Sequence, residues 1–216
     1  MDGMGKEHAQ MKKIGIMGGT FNPIHFGHLF LAEDSYEQMG LDQILFMPSK
    51  NPPHKSRANL VSDWHRENMV KLAIEDNPHF AFSGLELMRE GLTYTADTLS
   101  ILTQENPDTH YYFIIGADSL FMLPTWKKPE VICSLCTLVS SDRDQVGRDQ
   151  LEKQAAYIRG IYGARVILLS MPTIQISSEQ IRKRLRSGQS LRYYLPEKVL
   201  NYIGEHELYG VIGEQK

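Results

Sequence analysis

Short apolar runs alternate along this chain with longer stretches in which apolar residues recur every three or four positions. Ile14 to Met17 is the first run, Gly18-Gly19 turns it, and Gly27 to Met39 spaces Leu31, Ser35 and Gln38 as neighbours on a helix. Gln43 to Pro48 predicts a second strand, which ends in the proline-rich stretch PSKNPPHK (Pro48 to Lys55). Ser62 is placed to cap a helix reaching about Asn77, His79 to Ser83 predicts a third strand, and Thr93 or Thr95 caps a helix to about Glu105. Tyr111 to Ile115 is a strand turned at Gly116 into a short helix that starts near Asp118 and is closed by Pro124 and Trp126. Further strands are expected at Thr137 to Ser140 and Val166 to Leu169, separated by an amphipathic helix bearing Leu151, Ala155, Ile158 and Tyr162. A basic helix in Ile176 to Leu185 and a last one from Pro196 to Ile203 form a short helical C-terminal part. Such alternation predicts an α/β fold with a mostly parallel sheet covered by helices on both faces. Ligands in sheets of this kind sit beyond the C-terminal strand ends where the strand order reverses. Every polar cluster in the chain follows a predicted strand.

At 216 residues and 42% hydrophobic composition, the expected organisation is a flexible N-terminal tail over 1–13 and one domain over 14–216. Met1, Met4 and Met11 all precede the first strand and are all candidate starts. The net charge of −3 argues against a nucleic-acid binder, because no global field would gather a polyanion. Without an apolar run of membrane-spanning length or the apolar core of a secretory signal, the expected location is the cytoplasm, with no membrane partner. Cys133 and Cys136 form a lone C-x-x-C. It falls in the apolar run VICSLCTLVSS, leading into a strand, so both are read as small buried hydrophobes and not as a redox pair. No zinc-ligand spacing accompanies them, and no protein-held metal is expected.

The chemistry concentrates in GGTFNPIHFGH, Gly18 to His28. A strand, a glycine turn and a helix start make an anion site, because the backbone N–H groups and dipole of the helix terminus favour phosphate. His25 and His28 stand where they can bond the same oxygens. The spelling matches neither G-x-G-x-x-G nor the P-loop, so the phosphate is read as part of a reactant and not of a resident dinucleotide. Alone, H-x-G-H can arise by chance. A second anion site is expected at Ser177-Ser178, two hydroxyls opening a helix with Arg182, Lys183, Arg184 and Arg186.

The pairing of GGTFNPIHFGH with ISSEQIR about 150 residues later resembles the nucleotidyltransferase superfamily, whose signatures are H-x-G-H and I-S-S-T-x-I-R. PPHK, YTADTL, GADSL and Trp126-Lys127 make the chain similar to bacterial nicotinate-mononucleotide adenylyltransferases, over about Ile14 to Tyr209. The resemblance implies a Rossmann-like fold of the nucleotidyltransferase type. It also implies transfer of AMP from ATP to nicotinate mononucleotide, giving deamido-NAD and pyrophosphate, with Mg²⁺ carried mainly on the ATP phosphates. ATP would meet Gly18, Gly19, Thr20, Phe21, His25, His28, Ile176, Ser177, Ser178 and Arg182, of which His25, His28 and Arg182 are the catalytic set. His54 and Lys55 would close over the phosphates, Trp126 would stack on the pyridine, the backbone at Thr95 and Lys127 would read its carboxylate, and Asp118 would take a ribose hydroxyl. Asp97 and Thr98 are equally explained as packing or cap residues. Two positions depart from the pattern: Asn22 stands where Asp is frequent and keeps the turn-forming oxygen, while Glu179 replaces Thr and sets a negative charge beside phosphates. Competing readings are a related enzyme with another acceptor, such as phosphopantetheine or a polyol phosphate with CTP, and a nucleotide-binding regulator without turnover. Trp126 and YTADTL argue against the first, and the intact histidine pair with Arg182 against the second. A homo-oligomer stays open.

Overall fold

The computed structural model describes residues 11–50, 60–141, 147–172 and 174–210. Six strands form one sheet: β1 (Lys12–Gly19), β2 (Gln43–Pro48), β3 (Phe80–Phe82), β4 (Thr109–Gly116), β5 (Cys136–Ser141) and β6 (Arg165–Leu169). Their order is β3-β2-β1-β4-β5-β6, and every neighbouring pair is parallel. The order therefore reverses between β1 and β4, and the two strands that carry GGTF and GADSL at their C-terminal ends lie side by side.

Successive side chains of a strand point to opposite faces, and here both faces are buried. Ile14, Ile16, Phe113, Ile115 and Leu138 pack on one face against α4 (Thr95–Glu105), α5 (Ala117–Met122), α6 (Pro129–Leu135) and α7 (Arg148–Tyr162). Met17, Ile44, Phe46, Ile114 and Val139 pack on the other against α1 (Phe26–Met39), α2 (Asp63–Ile74), α8 (Ser178–Arg186) and α9 (Glu197–Glu205). That double burial is why the strands read as continuous apolar runs. A short helix, α3 (Leu85–Met88), and a 3₁₀ turn at Leu123–Thr125 complete the described elements.

The structure departs from the sequence expectations at four places. β1 begins at Lys12 because Lys12 and Lys13 pair with Thr109 and His110, and the Lys13 N–H donates to Asp42 Oδ2 at 2.7 Å. The run VIC belongs to α6, opened by Pro129, with the strand starting only at Cys136. α4 is capped by neither threonine: Tyr94 is the residue before it and Thr95 its first helical residue. α3 spans a single turn, too short to leave a period in the sequence. Ser62 does cap α2, its Oγ accepting the His65 N–H at 3.3 Å. Both cysteines are buried, and burial pushes the thiols up to about 11 for Cys133 and about 12 for Cys136. Among the described residues, no helix is long and apolar enough to cross a membrane.

Candidate functional site

The β1 strand delivers the chain to the switch point, and the next residues reverse it into α1. Phe21 takes a left-handed backbone (φ 48°) with its ring fully inside, and the Asn22-Pro23 peptide is cis. His25 is the N-cap of α1 and His28 its third residue. The His25 N–H donates to His28 Nδ1 at 3.3 Å, one arm of a reciprocal capping box between the two histidines. A ring nitrogen that accepts carries no hydrogen, so neutral His28 holds its proton on Nε2 as a donor. The two rings lie 3.8 Å apart between centroids, and Phe21 meets His28 edge-on at 5.0 Å. The glycine of H-x-G-H lies in tight quarters: a Cβ on Gly27 would sit 3.1 Å from His25 Nδ1 and 3.3 Å from the Ile176 carbonyl, so the neighbours would have to give by a few tenths of an ångström.

The histidines do not share one environment. His25 is only 1% exposed, while His28 is half-buried, so His28 is the member open to a bound anion. The helix terminus is also less open than the bare sequence implies. The Phe26 N–H is taken by the Tyr194 carbonyl at 3.1 Å and the His28 N–H by the His25 carbonyl at 2.9 Å.

The N-terminal end of α8 docks on the same loop. Ser177 is its N-cap, with Oγ accepting the Gln180 N–H at 3.2 Å. Ser178 Oγ donates to the Pro23 carbonyl at 2.8 Å and Arg182 Nη1 to the Asn22 carbonyl at 2.6 Å. Arg182 thus spends one N–H donor on the fold, and its buried Nε has no partner among the described residues. Glu179 is exposed in the first turn of α8, where a carboxylate favours the helix dipole. Asn22 Oδ1 accepts from the Tyr209 hydroxyl at 2.9 Å and the Val61 N–H at 3.3 Å, which gives the carboxamide at this position a fastening role.

From α2, Arg66 reaches the other side of the loop. Its side chain is wholly buried, and Nη1 donates to the Thr20 carbonyl at 2.8 Å and the Ser49 carbonyl at 2.7 Å, while Nη2 pairs with Asp63 at 2.5 Å. Burying a guanidinium costs several kcal/mol unless such bonds compensate. Burial raises the Tyr209 hydroxyl's pKa, and Arg182 and Arg66, both near enough to act on it, pull it the other way.

Beyond β4, Trp126 is half-buried and meets Phe113 edge-to-face at 6.3 Å. Lys127 turns its ammonium over the Tyr94 ring at 3.9 Å, with Asp97 Oδ2 3.8 Å away. Arg89 lies 3.8 Å from the same oxygen and donates to Thr98 Oγ1 at 3.1 Å, and Thr98 donates to Glu86 Oε1 at 2.8 Å. Burial raises the Glu86 carboxyl's pKa, against the hydrogen bonds and the Arg89 charge. These contacts tie the start of α4 to the Trp126 segment. Asp118 is exposed on α5, whose N-cap is Gly116, so Asp118 is not a cap.

The cytidylyltransferase-like family matches residues 16–184. A protein of Lachnoclostridium phytofermentans named Probable nicotinate-nucleotide adenylyltransferase is 50% identical over 199 residues, 92% of this chain and 100% of its own. The chain belongs to the nicotinate-nucleotide adenylyltransferase family. A Synechococcus member with the same name is 43% identical over 203 residues, covering 93% of this chain and 96% of its own. Among solved structures, the Plasmodium falciparum nicotinic acid mononucleotide adenylyltransferase complexed with NaAD shares the fold with a TM-score of 0.78 at 22% identity, over 94% of this chain and 100% of that one. In this adenylyltransferase, Gly18 to His28 and Ile176 to Arg182 meet at one loop. Thr95, Trp126 and Lys127 form a second group around α4. His54 and Lys55 lie outside the described residues. Arg66 and Tyr209 escaped the sequence reading. The signal for Arg66 was present as a lone charge on the apolar face Arg66, Met69, Val70 of α2.

Proposed function

We propose that this adenylyltransferase joins the AMP portion of ATP to nicotinate mononucleotide, releasing pyrophosphate and forming deamido-NAD. The observation that carries the reading is the His28 ring, oriented by the His25 N–H so that an Nε2 donor stands at the end of β1, beside the loop that Arg182 grips. An oxygen of the mononucleotide's phosphate attacks the α-phosphorus of ATP. A P–O bond forms there, and the bond to the oxygen bridging to the β-phosphorus breaks. The attacking phosphate monoester has a second pKa near 6 and is mostly dianionic at neutral pH, so no general base is required. Catalysis then consists of positioning two anions and stabilising the negative charge that gathers on departing pyrophosphate. His28 Nε2–H and the uncommitted N–H groups of Arg182 serve the phosphates. Ser177, Ser178, Ile176 and the Gly18 to Phe21 turn shape their cradle, and His25 holds His28.

The acceptor's pyridine stacks on Trp126, and its carboxylate takes backbone N–H groups at Thr95 and Lys127, with Asp118 for a ribose hydroxyl. The Thr95 and Ala96 N–H groups at the start of α4 have no partner among the described residues, which suits an anionic oxygen. His54 and Lys55 are proposed to close over the phosphates on the strength of the family resemblance alone. Mg²⁺ would neutralise triphosphate charge when bound. Imidazole and guanidinium groups do not suit a hard cation, and among the described residues no three His, Cys, Asp or Glu side chains gather to hold one, so its ligands would be chiefly phosphate oxygens. Both substrates are water-soluble nucleotides, which fits a cytoplasmic enzyme. Pyrophosphate release from ATP tests the proposal, with nicotinate mononucleotide, nicotinamide mononucleotide, phosphopantetheine and flavin mononucleotide as rival acceptors. Nicotinate mononucleotide should give the highest kcat/KM, and a higher value with any other acceptor overturns the assignment.

A further inference from the structure

Arg66 is the largest fully buried side chain in the described protein, and it carries a permanent charge. Its one acidic partner among the described residues, Asp63, is itself 38% exposed, so a surface ion pair alone does not account for drawing the guanidinium inside. What lies inside is the backbone of two loops. One nitrogen, Nη1, donates to both the Thr20 and Ser49 carbonyls. Thr20 is the first residue after β1, and Ser49 the first after β2. The Ser49 N–H already donates to the Gly19 carbonyl at 2.9 Å, so Arg66 closes a small ring of bonds across the C-terminal ends of the two strands. The residue after Thr20 is Phe21, whose left-handed backbone sets its ring against His28. A rigid path of packed and bonded groups therefore runs from Arg66 through Thr20 and Phe21 to the histidine that faces the phosphates.

We propose that Arg66 is a positioning residue for adenylyl transfer: by anchoring Thr20 and Ser49 through one guanidinium nitrogen, it fixes Phe21 and hence the His28 ring in the orientation that the reaction uses. The inference rests on the proposed function of this site. Arg66 itself touches no substrate. Because His28 acts chiefly on charge that develops during the reaction, a misplaced ring lowers turnover more than it weakens binding. A purely structural role predicts something different, namely activity loss in proportion to the unfolded fraction.

The test is steady-state pyrophosphate release with ATP and nicotinate mononucleotide, run with thermal melts on wild type, Arg66→Met, Arg66→Lys and Asp63→Asn. Wild type comes first: if it releases no pyrophosphate, the proposed function fails and no statement about Arg66 is reached through it. With an active wild type, folded Arg66→Met should lose about thirtyfold or more in kcat while KM for nicotinate mononucleotide stays within about threefold. Lysine is shorter by about one bond and can meet the carbonyls only in part, so Arg66→Lys should recover most of that loss, ending about three- to tenfold below wild type. Asp63→Asn removes the charge of the partner that does not reach the loop, and its kcat should stay within about twofold of wild type. Wild-type kcat in folded Arg66→Met or Arg66→Lys overturns the proposal, as does a rise in both KM values with kcat unchanged. Should Arg66→Met fail to fold, Arg66→Lys decides by the same kcat criterion.

Discussion

Replacing Arg182 by Ala separates a fastening job seen in the structure from the phosphate contact proposed for the same side chain. Its Nη1 donates at 2.6 Å to the Asn22 carbonyl, and a further N–H group is proposed to reach the ATP phosphates. A hydrogen bond from a charged donor is worth about 1.5–3 kcal/mol. Losing the Asn22 bond should therefore lower the melting temperature by roughly 3–12 °C, since about 1 kcal/mol moves a domain of this size by about 2–4 °C. If a second bond of the same kind reaches ATP, kcat/KM for ATP should fall by a further factor of about ten to one hundred, at about 1.4 kcal/mol per tenfold. Thermal melts and pyrophosphate-release kinetics below the lowered melting temperature read the two effects independently. Arg182→Lys serves as the control, because it keeps the charge and loses the planar fork. A melting shift with ATP kinetics within threefold of wild type would refute the reasoning. In that case Arg182 fastens the loop and nothing more.

Other outcomes follow from the same geometry. His28→Ala should lower kcat by about 10²-fold or more, the scale for removing one preorganised donor, and near wild-type turnover in the folded variant would take His28 out of the mechanism. Trp126→Ala should weaken nicotinate and nicotinamide mononucleotides alike, by about 1–3 kcal/mol on the base-stacking scale, while a preference of about tenfold or more for the acid in kcat/KM survives. Equal use of the two by wild type counts against the backbone-carboxylate contact. Burial, and then the His206 charge, hold the His65 pKa below its ordinary 6.5, so the folded chain favours the neutral ring. That stabilisation is complete above about pH 6.5 and is lost as pH falls through the lower folded value, so His65→Gln should flatten the acid side of a melting-temperature profile. With thiols raised to about 11 and 12, Cys133 and Cys136 should resist iodoacetamide at pH 8, and stability should decline as pH climbs from the ordinary 9.0 toward those values. Rapid labelling of the native protein would contradict their burial.

How much of this was legible depends on whether a residue's surroundings repeat along the chain or come from far away. The central strands announced themselves because they are buried on both faces, and Gln43–Pro48 was placed to the residue. α6 was not, since seven residues give the helical period too little room and Cys136 to Ser141 continues its apolar run directly. H-x-G-H pointed to the correct turn, yet its spelling treats the histidines as equals. Only the folded turn, with the Ile176 carbonyl against Gly27, shows His25 closed off and His28 half-buried. The open helix terminus inferred for α1 was partly wrong for a related reason: the carbonyl that takes the Phe26 N–H belongs to Tyr194, which no local pattern could supply. Arg66 was visible as an anomaly in a helical stripe, but its partners are backbone carbonyls, and carbonyls leave no signature in a sequence.

The bond from Tyr209 to Asn22 spans 187 positions, and it sets the order in which the molecule can be completed. A ribosome emits the β1 turn long before Tyr209, and domains begin to organise from the N-terminal side during synthesis. Strands β1 to β6 can pair before α8 and the C-terminal residues emerge, so a nascent chain can own most of its sheet while the Asn22 loop still lacks Ser178, Arg182 and Tyr209. The part of the site made earliest is finished latest. A chain released before Tyr209 is added would lack the hydroxyl on the Asn22 carboxamide, so absence of that bond marks an unfinished translation product whose sheet is otherwise whole.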